Sequence, residues 1–192
     1  MNIGIIGRAR VGKDTAGAWL VENRGYRRVA FADPLKEAAL KLDPIVSAEQ
    51  DARLREVVEL EGWERTKDTY PEVRRILQEL GAAVRAIDPD FWLRAALAKV
   101  TAANEDGVPA VITDVRYPNE VESLRRAGFH LIHISRPGAP QLVHESEGAL
   151  GPADADYRIT NDGTVPRLHA RLEAIVDRIT DAESRRHYAR SL

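Results

Sequence analysis

Short apolar runs alternate with helical patterns along most of the chain. Each run is continuous instead of alternating in polarity, which is typical of strands buried on both faces of a parallel sheet. The runs that predict strands are 3–6, 29–32, 109–113, 129–135 and 157–160. The periodic segments that predict helices are 13–23, 33–42, 71–84, 91–100, 118–128 and 165–179. This order predicts an α/β fold with a five-stranded parallel sheet and helices on both faces.

The remaining segments have less regular patterns. Asp33 and Pro34 predict the N-cap and the first residue of the second helix. The segment 43–70 is rich in charged residues and predicts a charged helix followed by a loop over 62–70. The segment 136–154 contains three prolines and three glycines and predicts a mobile loop. The polar tail from Asp181 predicts a frayed end.

Ligands of parallel α/β sheets bind beyond the carboxyl ends of the strands, so the residues that close the strands are candidates for ligand contacts. In this chain they are all polar or glycine: Gly7, Asp33, Asp114, Arg136 and Asn161. The sequence therefore predicts a polar ligand site along one edge of the sheet.

The first strand leads into a glycine-rich loop with the spacing of a P-loop, G-x-x-x-x-G-K. Its glycines let backbone N–H groups curl around a phosphate, and the following helix adds its positive N-terminal dipole. A lysine at the end of the loop reaches the β- and γ-phosphates. We predict an ATP site made of Gly7, Arg8, Ala9, Arg10, Val11, Gly12 and Lys13, with Asp14 and Thr15 after them.

The position after Lys13 departs from the standard P-loop, where a Ser or Thr hydroxyl binds Mg²⁺. Asp14 stands there, so either its carboxylate replaces the hydroxyl or Thr15 is the ligand, and the sequence leaves both open. Asp114, at the end of the strand 109–113, is either an acid that orders Mg²⁺ or a turn aspartate. The predicted metal residues are therefore Asp14, Thr15 and Asp114.

Several arginines are suited to a second cationic pocket. Arg116 follows Asp114 by two residues, and Arg85 lies on a preceding helix. Arg136 stands where a strand meets the predicted loop, from which it could swing onto phosphates when the loop closes. His144 and Glu147 belong to that loop, and we interpret them as polar contacts of a lid.

Composition narrows the classes of function. The chain has 192 residues, 44% hydrophobic and 30% charged, with a net charge of −2 and no cysteine. These values predict a soluble, cytoplasmic globular protein without disulfides or thiolate zinc sites, and with no role in nucleic-acid or membrane binding. The chain lacks a G-x-G-x-x-G fingerprint and an Asn-Lys-x-Asp motif, which argues against a dinucleotide fold and a GTPase.

At this point several motifs resemble those of the phage-type deoxynucleoside monophosphate kinases. The loop from Gly7 to Thr15, with Asp and Thr after its lysine, looks like the P-loop of that family. The segment 114–120, Asp-Val-Arg-Tyr-Pro-Asn-Glu, is similar to its most specific motif. Further similar segments are 31–36, 77–81, 144–147 and 159–164, together with Arg85 and 91–92.

The resemblance implies a nucleoside-monophosphate-kinase fold that transfers the γ-phosphoryl group of ATP, with Mg²⁺, to a deoxynucleoside monophosphate. It implies Lys13, Arg116, Arg136 and Asp114 as catalytic residues, and Asn161 and Gly163 beside the adenine. The acceptor would contact Asp33, Lys36, Arg85, Trp92, Arg116 and Glu147. Phe91, Trp92 and Tyr117 are candidates for the wall that excludes a 2′-hydroxyl. For Phe31 and Trp92, packing in the core is an explanation at least as good as stacking on the base.

This interpretation divides a single domain, 1–192, into a core at about 1–42 and 105–180, an acceptor-binding helical region at about 43–104, and a lid at about 136–154. A homodimer is compatible with the sequence, and a phage-encoded protein would work in the cytoplasm of its host. Two other functions stay open: a P-loop kinase for an alcohol such as dephospho-coenzyme A, with Asp33 as base, and an ATP-binding regulatory protein that is not a kinase.

Overall fold

The computed structural model describes residues 1–139 and 149–190, which include a five-stranded parallel sheet. The strand order is β2-β5-β1-β6-β7. The strands are β1 (Asn2–Ile6), β2 (Arg27–Val29), β5 (Ala110–Val115), β6 (Phe129–Ser135) and β7 (Tyr157–Thr160). The helices of this part are α1 (Lys13–Arg24), the later turns of α5 (Phe91–Glu105), α6 (Pro118–Arg126) and α7 (Val165–Arg190). The prediction of a five-stranded parallel sheet is confirmed.

Helices cover both faces of this sheet, as the alternation of side chains along β1 demonstrates. Ile3 and Ile5 are fully buried in a cluster that contains Ala16 and Leu20 of α1 together with Leu168 and Leu172 of α7. Gly4 points to the opposite face, where an added Cβ would lie 2.7 Å from Leu131 and 3.2 Å from Leu124 of α6. The predicted two-sided packing is therefore present.

Strand β5 contains an irregularity that the sequence did not indicate. Gly4 pairs with Ile112 while Ile6 pairs with Val115, so β5 carries one more residue than β1 over this stretch. An extra residue of this kind is a β-bulge, and bulges near the end of a strand re-aim side chains beside functional sites. The bulge lies at Thr113 and Asp114, next to the P-loop strand.

Residues 31–97 form a second compact unit, while the first consists of Met1–Ala30 and Ala98–Leu192. The second unit contains α2 (Ala32–Leu42), α3 (Leu54–Thr69), α4 (Pro71–Ile87) and the first turns of α5, with a small antiparallel pair of β3 (Ile45–Ser47) and β4 (Ala52–Arg53). Its buried core contains Ala39, Val46, Leu54, Val57 and Val73. Whether this unit matches the predicted acceptor-binding region stays a prediction.

The start of the second helix was predicted wrongly. Strand β2 ends at Val29 instead of Ala32, and α2 begins at Ala32 with Phe31 as its N-cap residue. Asp33 and Pro34 therefore lie inside the first turn. Proline is accepted there because the first four N–H groups of a helix have no intrahelical partner.

Three further expectations are corrected. The predicted loop over 62–70 is helical up to Thr69, interrupted only at Gly62 with a φ of 74°, and the Thr66 hydroxyl donates to the Gly62 carbonyl at 2.8 Å. The tail from Asp181 is not a frayed end, because α7 continues to Arg190. The Glu183 carboxylate in this tail lies 2.9 Å from Nε2 of His130 on β6, so this part of α7 is hydrogen-bonded to the sheet. Asp114 lies within β5 instead of closing it.

No helix in the described part of the chain is both long and apolar enough to cross a bilayer.

Candidate active site

The loop between β1 and α1 has a backbone that requires its two glycines. Gly12 has a φ of 105°, and a Cβ there would lie 2.7 Å from Nδ2 of Asn161. Gly7 has no room for a side chain because its Cβ would collide with the carbonyl oxygen of Ile134. The loop therefore runs close to Ile134 on β6 and to Asn161 after β7. A phosphate-binding loop of this kind turns its backbone N–H groups toward the ligand.

Arg10 has a left-handed backbone, with a φ of 62°, in the middle of this loop. A residue with a Cβ adopts that conformation at a cost of about 1–2 kcal/mol. Residues held in such conformations cluster at functional sites, because the surrounding structure must enforce them. The strained arginine supports the view that the loop is shaped for a ligand.

Lys13 begins α1, as the motif predicts, and it is buried. Its ammonium group donates to the carbonyl oxygen of Arg8 at 2.6 Å, across the mouth of the loop. An ammonium beside the positive end of α1 is a strong site for an anion. Lys13 therefore lies where the motif needs it.

A cavity of about 260 Å³ opens beside the P-loop and brings together residues that are far apart in sequence. It joins the loop and the start of α1 to Arg136 after β6 and to the segment that follows β7. Its lining residues are Arg10, Gly12, Lys13, Asp14, Thr15, Arg136, Asn161, Gly163, Val165 and Leu168. Asn161 and Gly163, which we predicted for the ATP site, and Arg136, which we predicted as a catalytic residue, thus line one cavity with the P-loop.

Val165 and Leu168 also line this cavity, although the sequence gave no reason to select them. Val165 is 52% exposed, whereas Leu168 belongs to the buried core. Helical spacing places both at the first turns of α7, and apolar residues at that spacing are indistinguishable from ordinary core positions in a sequence.

The candidate metal residues have the oxygen chemistry that Mg²⁺ prefers. The Thr113 hydroxyl lies 3.4 Å from Oδ1 of Asp14, which places the Asp14 carboxylate beside the bulge that contains Asp114. No group of three or more His, Cys, Asp and Glu side chains in residues 1–139 and 149–190 forms a metal site. One or two carboxylates fit a Mg²⁺ ion that receives its other ligands from substrate phosphates and water.

The turn between β5 and α6 is fixed by Glu120, the last residue of the segment 114–120 and one for which the sequence indicated no role. Oε2 of Glu120 accepts hydrogen bonds from the backbone nitrogens of Arg116 at 2.7 Å and Tyr117 at 3.0 Å. Glu120 is buried, and it is the third residue of α6, so it reaches back to the N-cap in the manner of a capping box. The Arg116 side chain is exposed beside this rigid turn.

The other predicted acceptor residues within 31–97 have defined surroundings. The Lys36 ammonium lies 5.4 Å from the centre of the Trp63 ring, a cation–π distance. Trp92 is 5% exposed, and its indole N–H donates to the carbonyl oxygen of Gly81 at 3.2 Å. Asp33 and Arg85 are half-buried. Contact of any of these with an acceptor stays a prediction, and Glu147 and His144 lie outside the described residues.

The sheet order, the phosphate loop and the cavity define the class: this is a P-loop fold of the kinase type. The dephospho-CoA kinase of Campylobacter jejuni has the same fold, with a TM-score of 0.53 and 12% identity over 95% of this chain and 98% of that one. At this identity the likeness concerns the fold alone.

Sequence comparisons define the family. The deoxynucleotide monophosphate kinase family matches residues 44–172. A protein of Acanthamoeba polyphaga mimivirus, named as a candidate deoxynucleotide monophosphate kinase, is 30% identical over 91% of this chain and 95% of its own length. The deoxynucleotide monophosphate kinase of Escherichia phage RB69 is 33% identical over 57% of this chain and 46% of its own length. The chain belongs to the deoxynucleotide monophosphate kinase family.

The match covers only part of some of the relatives. The match covers 46% of the RB69 enzyme and 49% of the herpesvirus protein ORF77 from Ictalurid herpesvirus 1, so the chain spans about half the length of these relatives.

Proposed function

We propose that this chain transfers the γ-phosphoryl group of ATP to the 5′-phosphate of a deoxynucleoside monophosphate, giving ADP and a deoxynucleoside diphosphate. The observation that carries the proposal is the cavity in which Lys13, Asp14 and Thr15 meet Arg136 and Asn161. A phosphate-binding loop faced by an arginine from another strand is suited to holding a triphosphate and neutralising charge on it. Membership of the family supports the same reaction and names the acceptor class.

The P-loop backbone and Lys13 would hold the β- and γ-phosphates. Arg136 follows β6 directly and lines the same cavity, so its guanidinium would be available to the transferred group there. Most of the catalytic effect would come from positioning the two phosphates and stabilising the charge between them.

The donor chemistry fits ATP accompanied by Mg²⁺. When bound, Mg²⁺ would neutralise charge on the phosphate oxygens. Asp14, Thr15 and Asp114 are the residues that would hold it, directly or through water.

The acceptor needs no general base, because its phosphate has a second pKa of about 6 and is already an anion near neutral pH. The chain has to orient that anion and screen its charge. We assign this role to Arg116, which extends from the turn that Glu120 fixes. Asp33, Lys36, Arg85, Trp92 and Glu147 are proposed as further acceptor residues.

One assay tests the proposal against both alternatives. ADP release is measured with MgATP and each of the deoxynucleoside and ribonucleoside monophosphates, with dephospho-coenzyme A, and with no acceptor. We expect turnover with deoxynucleoside monophosphates that Lys13→Ala abolishes while the far-ultraviolet circular dichroism stays unchanged. Turnover only with dephospho-coenzyme A would support an alcohol kinase, and acceptor-independent hydrolysis would support a regulatory ATPase. Either result, or more than a tenth of the activity in Lys13→Ala, would overturn the proposal.

A further inference from the structure

The Asn161 side chain donates a hydrogen bond to the P-loop. Its Nδ2 donates to the carbonyl oxygen of Val11 at 2.9 Å, across 150 residues of sequence. The residue is 7% exposed, so this bond is shielded from water. The resemblance had implied a place beside the adenine, but the structure binds the side-chain NH₂ group to the P-loop backbone.

The backbone of Asn161 is fixed as well. Its N–H donates to the carbonyl oxygen of Ser135 at 2.6 Å, at the end of β6 and immediately before Arg136. One buried residue therefore joins three parts of the cavity: the P-loop, the end of β6 and the start of the segment that leads into α7. Since each of these segments contributes a lining residue, a change in Asn161 acts on the whole phosphate end of the cavity.

The bond to Val11 determines how one peptide group of the P-loop is oriented. A trans peptide is planar, with its C=O and N–H pointing in opposite directions. Because Asn161 holds the Val11 carbonyl, the N–H of Gly12 in the same peptide must point away from Asn161. The absence of a side chain at Gly12 permits this arrangement, since a Cβ would meet Nδ2 of Asn161 at 2.7 Å.

We propose that Asn161 is a positioning residue for the triphosphate: it holds the Val11–Gly12 peptide in its phosphate-binding orientation and does not select the base. This inference rests on the proposed function, because it takes the P-loop as the triphosphate site. It predicts that Asn161 contributes equally to the binding of any ligand that carries the phosphates, with or without a nucleoside.

The test uses inorganic tripolyphosphate, which has the phosphates of ATP and no base. Asn161→Asp keeps the shape of the side chain but cannot donate to Val11 and places a carboxylate against its carbonyl. Binding of magnesium tripolyphosphate and of MgATP is measured by calorimetry. We expect both affinities to fall by the same factor, about tenfold or more for a lost buried hydrogen bond, with an unchanged ratio of ATP to GTP affinity.

Asp162→Asn is the matched control. Asp162 is the next residue, but it is exposed and its carboxylate binds Arg171 at 2.9 Å instead of the P-loop. We expect this variant to bind tripolyphosphate like the unaltered protein. If Asn161→Asp does not fold, Asn161→Ala serves the same measurement, since it lacks the donor without adding charge.

Unchanged tripolyphosphate affinity in a folded Asn161 variant, or a changed preference between ATP and GTP, would overturn the inference and return Asn161 to a base-reading role. Equal losses in Asp162→Asn would also overturn it, because they would show a general effect of the turn. Lys13→Ala distinguishes failure of this inference from failure of the proposed function. If that variant still binds tripolyphosphate normally, the proposed function itself fails.

Discussion

The carboxylate of Glu120 lies 2.7 Å from the backbone nitrogen of Arg116 and accepts its hydrogen bond. A charged acceptor makes such bonds about twice as strong as a neutral one does. Glu120 is also buried, so the geometry of the turn that presents the Arg116 side chain depends on a carboxylate that water does not reach.

Glu120→Gln is therefore expected to lower kcat by about three- to tenfold, through a looser turn at Arg116, at an unchanged KM for ATP. Steady-state kinetics with a saturating deoxynucleoside monophosphate measure this. Glu122→Gln is the control, because Glu122 lies on the same helix but pairs with Arg126 on the surface. Equal kcat values in the two variants would contradict a role for Glu120 in positioning Arg116.

Arg136→Ala should lower kcat much more than it weakens ATP binding, if the guanidinium acts mainly on charge that develops in the transition state. By comparison with other phosphoryl-clamping arginines, the loss is expected to be about 10²-fold or more. Arg126→Ala, which removes an exposed arginine of α6, should leave kcat unchanged. An unaltered kcat in Arg136→Ala would place this arginine outside the chemistry, even though it lines the cavity.

The sequence predicted the parallel sheet and the P-loop well because both depend on local patterns. Continuous apolar strands and the spacing of Gly7, Gly12 and Lys13 carry their information within a few residues. The bonds of Asn161 to Val11 and of Glu183 to His130 join residues that are distant in the chain, so no local pattern indicates them. The β5 bulge was missed for the same reason, since it is defined by its pairing with β1.

The stability of the sheet should depend on pH through His133. Burial lowers the pKa of this imidazole, and the positive charge of Arg158 on the neighbouring strand lowers it further. The folded state then binds a proton less readily than the unfolded state, in which the pKa is about 6.5. The contribution of His133 to the free energy of unfolding is therefore fully present above about pH 6.5 and decreases as the pH falls below that value.

His133→Gln should flatten this dependence, because glutamine does not titrate. Thermal unfolding at pH 5.0 and 7.5 checks the expectation: the difference in Tm between the two pH values should be smaller in the variant. A difference as large as in the unaltered protein would mean that other groups cause the loss of stability.

Two adjacent aromatic residues at the start of α5 differ in the exposed fraction of their surface. Trp92 is 5% exposed and its N–H is bound to the Gly81 carbonyl, whereas Phe91 is 43% exposed and packs edge-on against the Trp92 ring at 4.9 Å. Of these two residues, Phe91 has the surface for contact with a ligand, and Trp92 packs against it from the core.

We therefore expect the unaltered protein to use dGMP with a higher kcat/KM than GMP. Phe91→Ala should lower the ratio of these two kcat/KM values. An apolar wall disfavours an added hydroxyl by at most about 10²-fold, so the ratio of kcat/KM for dGMP to that for GMP should not exceed about 10². Trp92→Phe should instead lower stability by about 1 kcal/mol through the lost hydrogen bond and reduce both activities equally. Kinetics with both sugars, together with urea unfolding of both variants, distinguish the two roles. If Trp92→Phe changes the ratio while Phe91→Ala does not, Trp92 is the residue that reads the sugar, and the assignment to Phe91 is wrong.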